Sequence, residues 1–162
     1  MDKQFLVEQL AERLRESASV ARRASQSAAE IARNGATPAE KREDARVALE
    51  FSSLAKGQTA RAARATAELG TLNIFRPAKL APASPISLGA VVEVEDGEQG
   101  RTFFLAPVGA GIELTGPGGD GFLSVVTPVS PIGKAVLGRR VGDTIEVMVQ
   151  DEAREWKITY VG

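Results

Sequence analysis

The chain has 162 residues, with 20 Lys and Arg against 21 Asp and Glu, and it contains neither cysteine nor histidine. Without cysteine there is no disulfide framework and no thiolate metal site; without histidine, Ser-His-Asp, Cys-His and zinc-hydrolase chemistries are excluded. This length holds one ordinary domain or two small units, and 43% hydrophobic with 25% charged residues is a globular composition. No apolar run approaches the roughly 20 residues of a membrane span, and the N-terminus lacks a signal-peptide core. Together with the absence of cysteine, which suits a reducing compartment, this leads us to expect a cytoplasmic protein with no membrane partner.

The near-zero net charge hides a division. Residues 1–79 carry 14 Lys and Arg against 10 Asp and Glu, whereas residues 80–162 carry 6 against 11. The basic half can lie near nucleic acid, and the acidic half argues against DNA binding, sequence-specific or general, by the whole protein.

From Lys3 to Arg33 there is no proline or glycine, and good helix formers dominate. Val7, Leu10, Leu14, Ser17, Ala21, Ala24, Ala28 and Ile31 recur at three- and four-residue steps, the seam of a coiled coil. Asn34-Gly35 reads as a stop. Thr37-Pro38-Ala39-Glu40 reads as a new start, with Thr37 as N-cap, Pro38 in the first helical position and Glu40 closing a capping box. The second helix is expected from Pro38 to about Leu69, with Gly70 as its exit. Its seam is Ala45, Ala48, Ser52, Ala55, Thr59, Ala62, Thr66 and Leu69.

Antiparallel pairing sets Val7 with Leu69, Leu14 with Ala62, Ala21 with Ala55 and Ile31 with Ala45. A hairpin of roughly 45 Å follows, at about 1.5 Å per residue. Val47, Phe51 and Leu54 form a second stripe, either a wider core arc with a shifted register or an apolar patch for a partner. Glu40, Glu43 and Asp44 cluster in the first turns of the second helix, where carboxylates suit the helix dipole. Arg15, Arg22, Arg23, Arg46, Arg61 and Arg64 decorate the hairpin and can pair with Glu8, Glu12, Glu16 and Glu50 on solvated faces.

Residues 71–85, with Pro77, Pro82 and Pro85, read as a linker between a hairpin (1–70) and a C-terminal domain (86–162). Beyond it the periodicity falls to two. Strands are expected at Leu88–Glu95, Arg101–Ala106, Gly111–Leu114, Phe122–Thr127, Thr144–Gln150 and Arg154–Val161, with one helix near Pro131–Leu137. Asp96-Gly97 marks a hairpin turn. Gly116–Gly121 reads as a surface loop, because it lacks the Lys and Ser/Thr of a phosphate-binding P-loop and opens no helix. The class is α+β.

The run from Val129 to Val147 carries the most information. Ser130 caps a helix whose first residue is Pro131, Gly138 leaves it, and Val141-Gly142-Asp143 turns the chain into a strand. Ser130-Pro131, the small and basic Gly133-Lys134, Ala135, Leu137-Gly138 with basic Arg139, and then Gly142-Asp143 resemble the C-terminal domain of the bacterial Gre transcript-cleavage factors. The resemblance implies an N-terminal antiparallel coiled-coil hairpin followed by an FKBP-like antiparallel β-sheet domain with one short helix. It also implies a factor that binds RNA polymerase at the rim of its secondary channel and inserts the hairpin there, acting on backtracked or paused complexes. Such a factor is no enzyme itself; it assists the polymerase's own RNA cleavage.

Carried onto this sequence, the family's rim contact falls on Ser130, Pro131 and Ile132. Its tip acids, which help hold a Mg2+ ion of the polymerase active site, fall on Glu40, Glu43 and Asp44. The basic residues that approach the nascent RNA 3′ end fall on Arg22, Arg46 and Arg61. No stably bound cofactor is implied. The sequence departs from the family twice: Thr37 stands where the first tip acid is expected, and Val129 where an acidic or amide residue usually precedes Ser-Pro. Thr37 motivates an alternative, a secondary-channel regulator that does not stimulate cleavage. An FKBP-like peptidyl-prolyl isomerase is a third reading. It would need an aromatic pocket from Phe103, Phe104, Phe122, Trp156 and Tyr160, most of which read as sheet core.

Overall fold

The computed structural model describes residues 2–33 and 41–162. Two long helices, α1 (Gln4–Arg33) and α2 (Lys41–Ile74), precede β1 (Val91–Glu95), β2 (Gly100–Leu105), β3 (Glu113–Thr115), β4 (Phe122–Val126), α3 (Pro131–Val136), β5 (Thr144–Val149) and β6 (Glu152–Val161). The α+β class expected from the sequence is the one the chain adopts. The chain divides into two compact units, Glu12–Gly70 and Met1–Ala11 with Thr71–Gly162.

In the helical unit, Leu14, Ala18, Ala21 and Ala28 of α1 and Ala62 and Ala65 of α2 are buried. Positions 14, 21 and 28 are those the sequence seam requires, but the alternate positions fall one residue later. Ala18 is buried where Ser17 was expected, and Ile31 is half exposed. Both phases share one heptad position, and the residues at 17/18 and 24/25 are all small, so periodicity alone does not choose between them.

Polar contacts show the phase adopted. The Ser25 and Thr59 hydroxyls lie 2.7 Å apart, and both reach the Ala55 carbonyl, at 3.2 and 2.9 Å. Arg22 donates to the Thr66 hydroxyl (3.1 Å), which donates to the Ala62 carbonyl (3.0 Å). The expected register would have set Ser25 opposite Phe51. Ser25 instead meets Ala55 and Thr59, one to two turns further along α2. A bulky Phe51 does not fit a seam made of alanines and hydroxyls, and it lies at the half-buried margin with Val47 and Leu54 exposed.

The expected exit at Gly70 is also passed over: α2 continues to Ile74. A glycine inside a helix costs about 1 kcal/mol relative to alanine. One more turn buries Leu72 completely, which offsets that cost. The helix stops before Arg76-Pro77, since a residue preceding proline disfavours the helical region. The Arg76 guanidinium caps the end by donating to the carbonyls of Asn73 (3.1 Å) and Phe75 (2.8 Å).

The other unit is built on a six-stranded sheet of order β3-β4-β2-β1-β6-β5. Its neighbours are antiparallel except β2 and β4, which run parallel. The parallel pair follows from the path: the chain leaves β2 for the edge strand β3, then hairpins back into the gap beside β2. Alternation divides the side chains between two faces. Val92, Val94, Phe103, Leu105, Val126, Ile145, Val147, Trp156 and Ile158 share one cluster with Val136 of α3 and with Ile86. Within it the Phe103 and Trp156 rings stack with centroids 6.0 Å apart, and the Arg101 guanidinium lies 5.3 Å from the Trp156 ring.

Val91, Phe104, Leu114, Leu123 and Val125 alternate to the opposite face and are also buried. The start of α1 belongs to this unit. Leu10 packs on the backbone at Gly109. The Gln9 side-chain amide pairs with Thr115 of β3 as a strand would, donating to its carbonyl (3.0 Å) and accepting its N–H (2.6 Å). One glutamine thereby occupies backbone groups on a sheet edge that would otherwise be open to pairing. Val7 and Leu10, seam positions by periodicity, serve the sheet domain.

Candidate functional site

The run singled out in the sequence forms a rigid corner. Ser130 is extended (φ −72°, ψ 153°), and its hydroxyl accepts the N–H of Gly133 (3.2 Å) and of Thr127 (3.2 Å) while donating to the Thr127 carbonyl (2.8 Å). A hydroxyl has one proton and two lone pairs, so all of its capacity is spent inside the corner. Gly133 is required by contact: a Cβ there would lie 1.8 Å from the Thr127 carbonyl oxygen. After α3, Gly138 takes φ +79° and donates to the Ile86 carbonyl (2.8 Å), while Ile86 donates to Arg139 (2.7 Å). The Asp143 carboxylate accepts the Arg140 N–H (2.8 Å), closing the turn into β5.

With Ser130 committed, the surface the corner offers is apolar. Val129 is 78% exposed, Pro131 is exposed and Ile132 is half-buried, with Lys134, Leu137 and Val141 also exposed. The sequence placed Ser130, Pro131 and Ile132 together as a contact, and they do stand together. Ser130, however, shapes the backbone, while its neighbours make the surface. The Asp96 carboxylate does the same kind of work in the β1–β2 turn, accepting the N–H of Gln99 (2.9 Å) and Glu98 (3.2 Å). These backbone hydrogen bonds hold its pKa below the ordinary value, and Arg154 at 3.8 Å adds to the effect.

On the hairpin, Arg22 is tied to Thr66, Arg46 pairs with Glu50 at 3.5 Å on an exposed face, and Arg61 is exposed. Arg46 and Arg61 are about four turns apart on α2, roughly 22 Å at the helical rise, so they do not form one cluster. Thr37, Glu40 and the side chains of Glu43 and Asp44 lie outside the described residues. Among the described residues no group of three acidic side chains gathers as a metal site. The aromatics an isomerase pocket would need are committed elsewhere: Phe103, Phe104 and Trp156 are buried in the sheet. Gln9 was missed, and its only sequence signal is a polar amide inside the apolar start of α1.

Two long helices and a sheet domain presenting one capped corner define the helical-hairpin class that the sequence led us to expect. The C-terminal part places the chain more closely: residues 81–162 match the family described as "Transcription elongation factor, GreA/GreB, C-term", and the chain belongs to this GreA/GreB family of transcription elongation factors. Similar solved structures include GreA factor homolog 1 of Thermus thermophilus, at 22% identity over 94% of this chain and 94% of that one, with a TM-score of 0.40. Another is its counterpart from Thermus aquaticus, at 19% identity over 98% and 90%, with a TM-score of 0.39. A third is a GreA/GreB factor from Nitrosomonas europaea, at 19% identity over 59% and 74%, with a TM-score of 0.37. No curated protein matches the chain. No helix among the described residues is long and apolar enough to cross a membrane.

Proposed function

We propose that this protein is a Gre-type accessory factor that binds bacterial RNA polymerase at the rim of the secondary channel and inserts its helical hairpin to act on backtracked or paused complexes. The observation that carries this reading is the family match across the whole sheet domain, including the Ser130 corner. The corner suits docking, because a backbone locked by Ser130 and Gly133 presents Val129, Pro131 and Ile132 with little entropy left to lose on binding. An exposed valine before Ser-Pro gives this contact an apolar character that tolerates salt. From the hairpin, Glu40, Glu43 and Asp44 would supply carboxylates that help hold Mg2+ in the polymerase site, and Arg22, Arg46 and Arg61 would supply charge toward the RNA 3′ end.

Thr37 favours a second reading, in which the factor occupies the channel without stimulating cleavage. A neutral hydroxyl caps a helix well but is a weak Mg2+ ligand beside a carboxylate. Two measurements on the full chain separate these readings. Co-purification with RNA polymerase is expected for both and is weakened by Pro131→Ala. RNA cleavage in backtracked complexes, with and without Mg2+, is expected only for the first. Strong cleavage that persists when Glu40, Glu43 and Asp44 are all changed to alanine would refute the tip assignment.

A further inference from the structure

Asp-Gly occurs twice in the sheet unit, at Asp96-Gly97 between β1 and β2 and at Asp120-Gly121 between β3 and β4. Both pairs are exposed, and a Cβ built on either glycine would meet nothing within 4 Å. In any such pair the backbone nitrogen of the glycine lies one five-membered ring away from the aspartate Cγ. When the carboxyl is protonated, that nitrogen attacks Cγ. The N–Cγ bond forms, the hydroxyl leaves with the amide proton as water, and a cyclic imide results. Water then opens the imide. Attack at the original backbone carbonyl leaves the chain running through Cβ and Cγ, an isoaspartate with a free α-carboxylate. Only water is exchanged, and glycine obstructs the ring closure least because it has no Cβ.

The two sites differ in what holds the carboxyl. At Asp96 the Oδ1 atom accepts the N–H of Gln99 (2.9 Å) and of Glu98 (3.2 Å), and Oδ2 lies 3.8 Å from the Arg154 guanidinium. Both oxygens are engaged in the ionised state, which is the unreactive one, and turning Cγ onto the Gly97 nitrogen breaks the two backbone bonds. The Asp120 carboxylate takes neither a hydrogen bond nor an ion pair among the described residues, and the Gly121 N–H donates to no described group. Nothing there has to break before the ring closes.

We propose that Asp120-Gly121 is a site of spontaneous isoaspartate formation in this protein, whereas Asp96-Gly97 is protected by the turn that Asp96 caps. The product has a local structural consequence. The loop is closed by the Gly116 N–H donating to the Gly121 carbonyl (3.0 Å), beside the Thr115–Phe122 pair that joins β3 to β4. Gly116 lies so close to the Asp120 carbonyl oxygen that a Cβ there would stand 2.3 Å from it. A backbone lengthened by one methylene at 120 cannot keep that closure.

The test is prolonged incubation of the full chain in mildly acidic buffer, folded in one arm and in guanidinium chloride in the other, followed by trypsin digestion. Asp96 and Asp120 fall in different peptides, 80–101 and 102–134, and each is the only Asp or Asn in its peptide. Isoaspartyl forms are separated by reversed-phase chromatography and identified by electron-transfer fragmentation. Asn34-Gly35 lies outside the described residues and reports in a third peptide, 34–41, so it does not interfere. In the folded chain, isoaspartate is expected in 102–134 at roughly tenfold or more its level in 80–101, the effect of two N–H bonds to a carboxylate. In guanidinium chloride, where neither turn persists, the two peptides should accumulate it alike. Equal accumulation in the folded chain overturns the protection of Asp96. A folded chain that leaves 102–134 unmodified while the unfolded chain converts it overturns the site at Asp120. A difference between the peptides that survives in guanidinium chloride overturns the structural cause.

Discussion

The helical unit and the sheet unit are held together by different means. Between α1 and α2 the buried side chains are mostly alanines, supplemented by hydroxyls at Ser25, Thr59 and Thr66. Each alanine removes little apolar surface from water, so the helices rely on intrinsic propensity, close approach and a few polar contacts. The sheet unit instead buries Phe104, Leu105, Leu114, Ile158 and Trp156, and fixes its corners with side-chain-to-backbone bonds from Ser130, Asp96 and Gln9. A slender hairpin accepts surface changes of charge at small cost, whereas the Ser130 corner depends on a backbone that does not move.

That contrast can be broken most forcefully at Phe104, which is fully buried. Phe104→Ala should cost about 3–5 kcal/mol in urea unfolding followed by Trp156 fluorescence, because it removes a large side chain and leaves a cavity. The helical signal at 222 nm should respond less, since most helical residues belong to Glu12–Gly70. Coincident loss of both signals would mean that the two units unfold as one.

Next in size is Gly133→Ala, whose methyl would meet the Thr127 carbonyl oxygen at 1.8 Å. About 1–3 kcal/mol of overpacking is expected, and polymerase co-purification should fall with it, because α3 must shift. A smaller effect belongs to the hairpin. Ser25→Ala should cost roughly 0.5–1.5 kcal/mol by thermal unfolding, the net worth of a hydrogen bond. Cysteines at Ser25 and Thr59 should crosslink on oxidation, seen by non-reducing electrophoresis, whereas cysteines at Ala21 and Ala55 should not.

The smallest effect is that of Asp96, which lies in an exposed turn. Its folded pKa is depressed chiefly by the Gln99 and Glu98 N–H groups, so its contribution to stability is present above the ordinary value of 3.8 and is lost as pH falls through the folded pKa. Asp96→Asn should therefore be slightly less stable than the unaltered chain at neutral pH and converge with it in acid, as measured by pH-dependent urea midpoints.

Much of the fold was legible because it rests on local signals. Helix formers without breakers marked α1, alternation marked the six strands, and Ser130-Pro131 with Gly138 marked both ends of α3. The expected strand over Leu88–Glu95 began late, at Val91, because the chain first makes a turn in which the Ala90 N–H reaches the Ser87 carbonyl (3.0 Å). The Ser130 corner was legible as a motif, but not the division of labour among its residues. Nothing in the order of residues says that the Ser130 hydroxyl is fully spent and that Val129 and Pro131 make the surface.

The sequence by itself determined the helical and strand periodicities, the corner and the family signature, all of which depend on residues within a few positions of one another. Only the tertiary structure decided the seam phase of α1, the pairing of Ser25 with Thr59, the service of Gln9 to the edge of β3 and the burial of Lys3. Each of these joins residues 34 or more positions apart. The choice in each case turns on which of several locally equivalent arrangements packs without stranding a polar group, and periodicity carries no information about that.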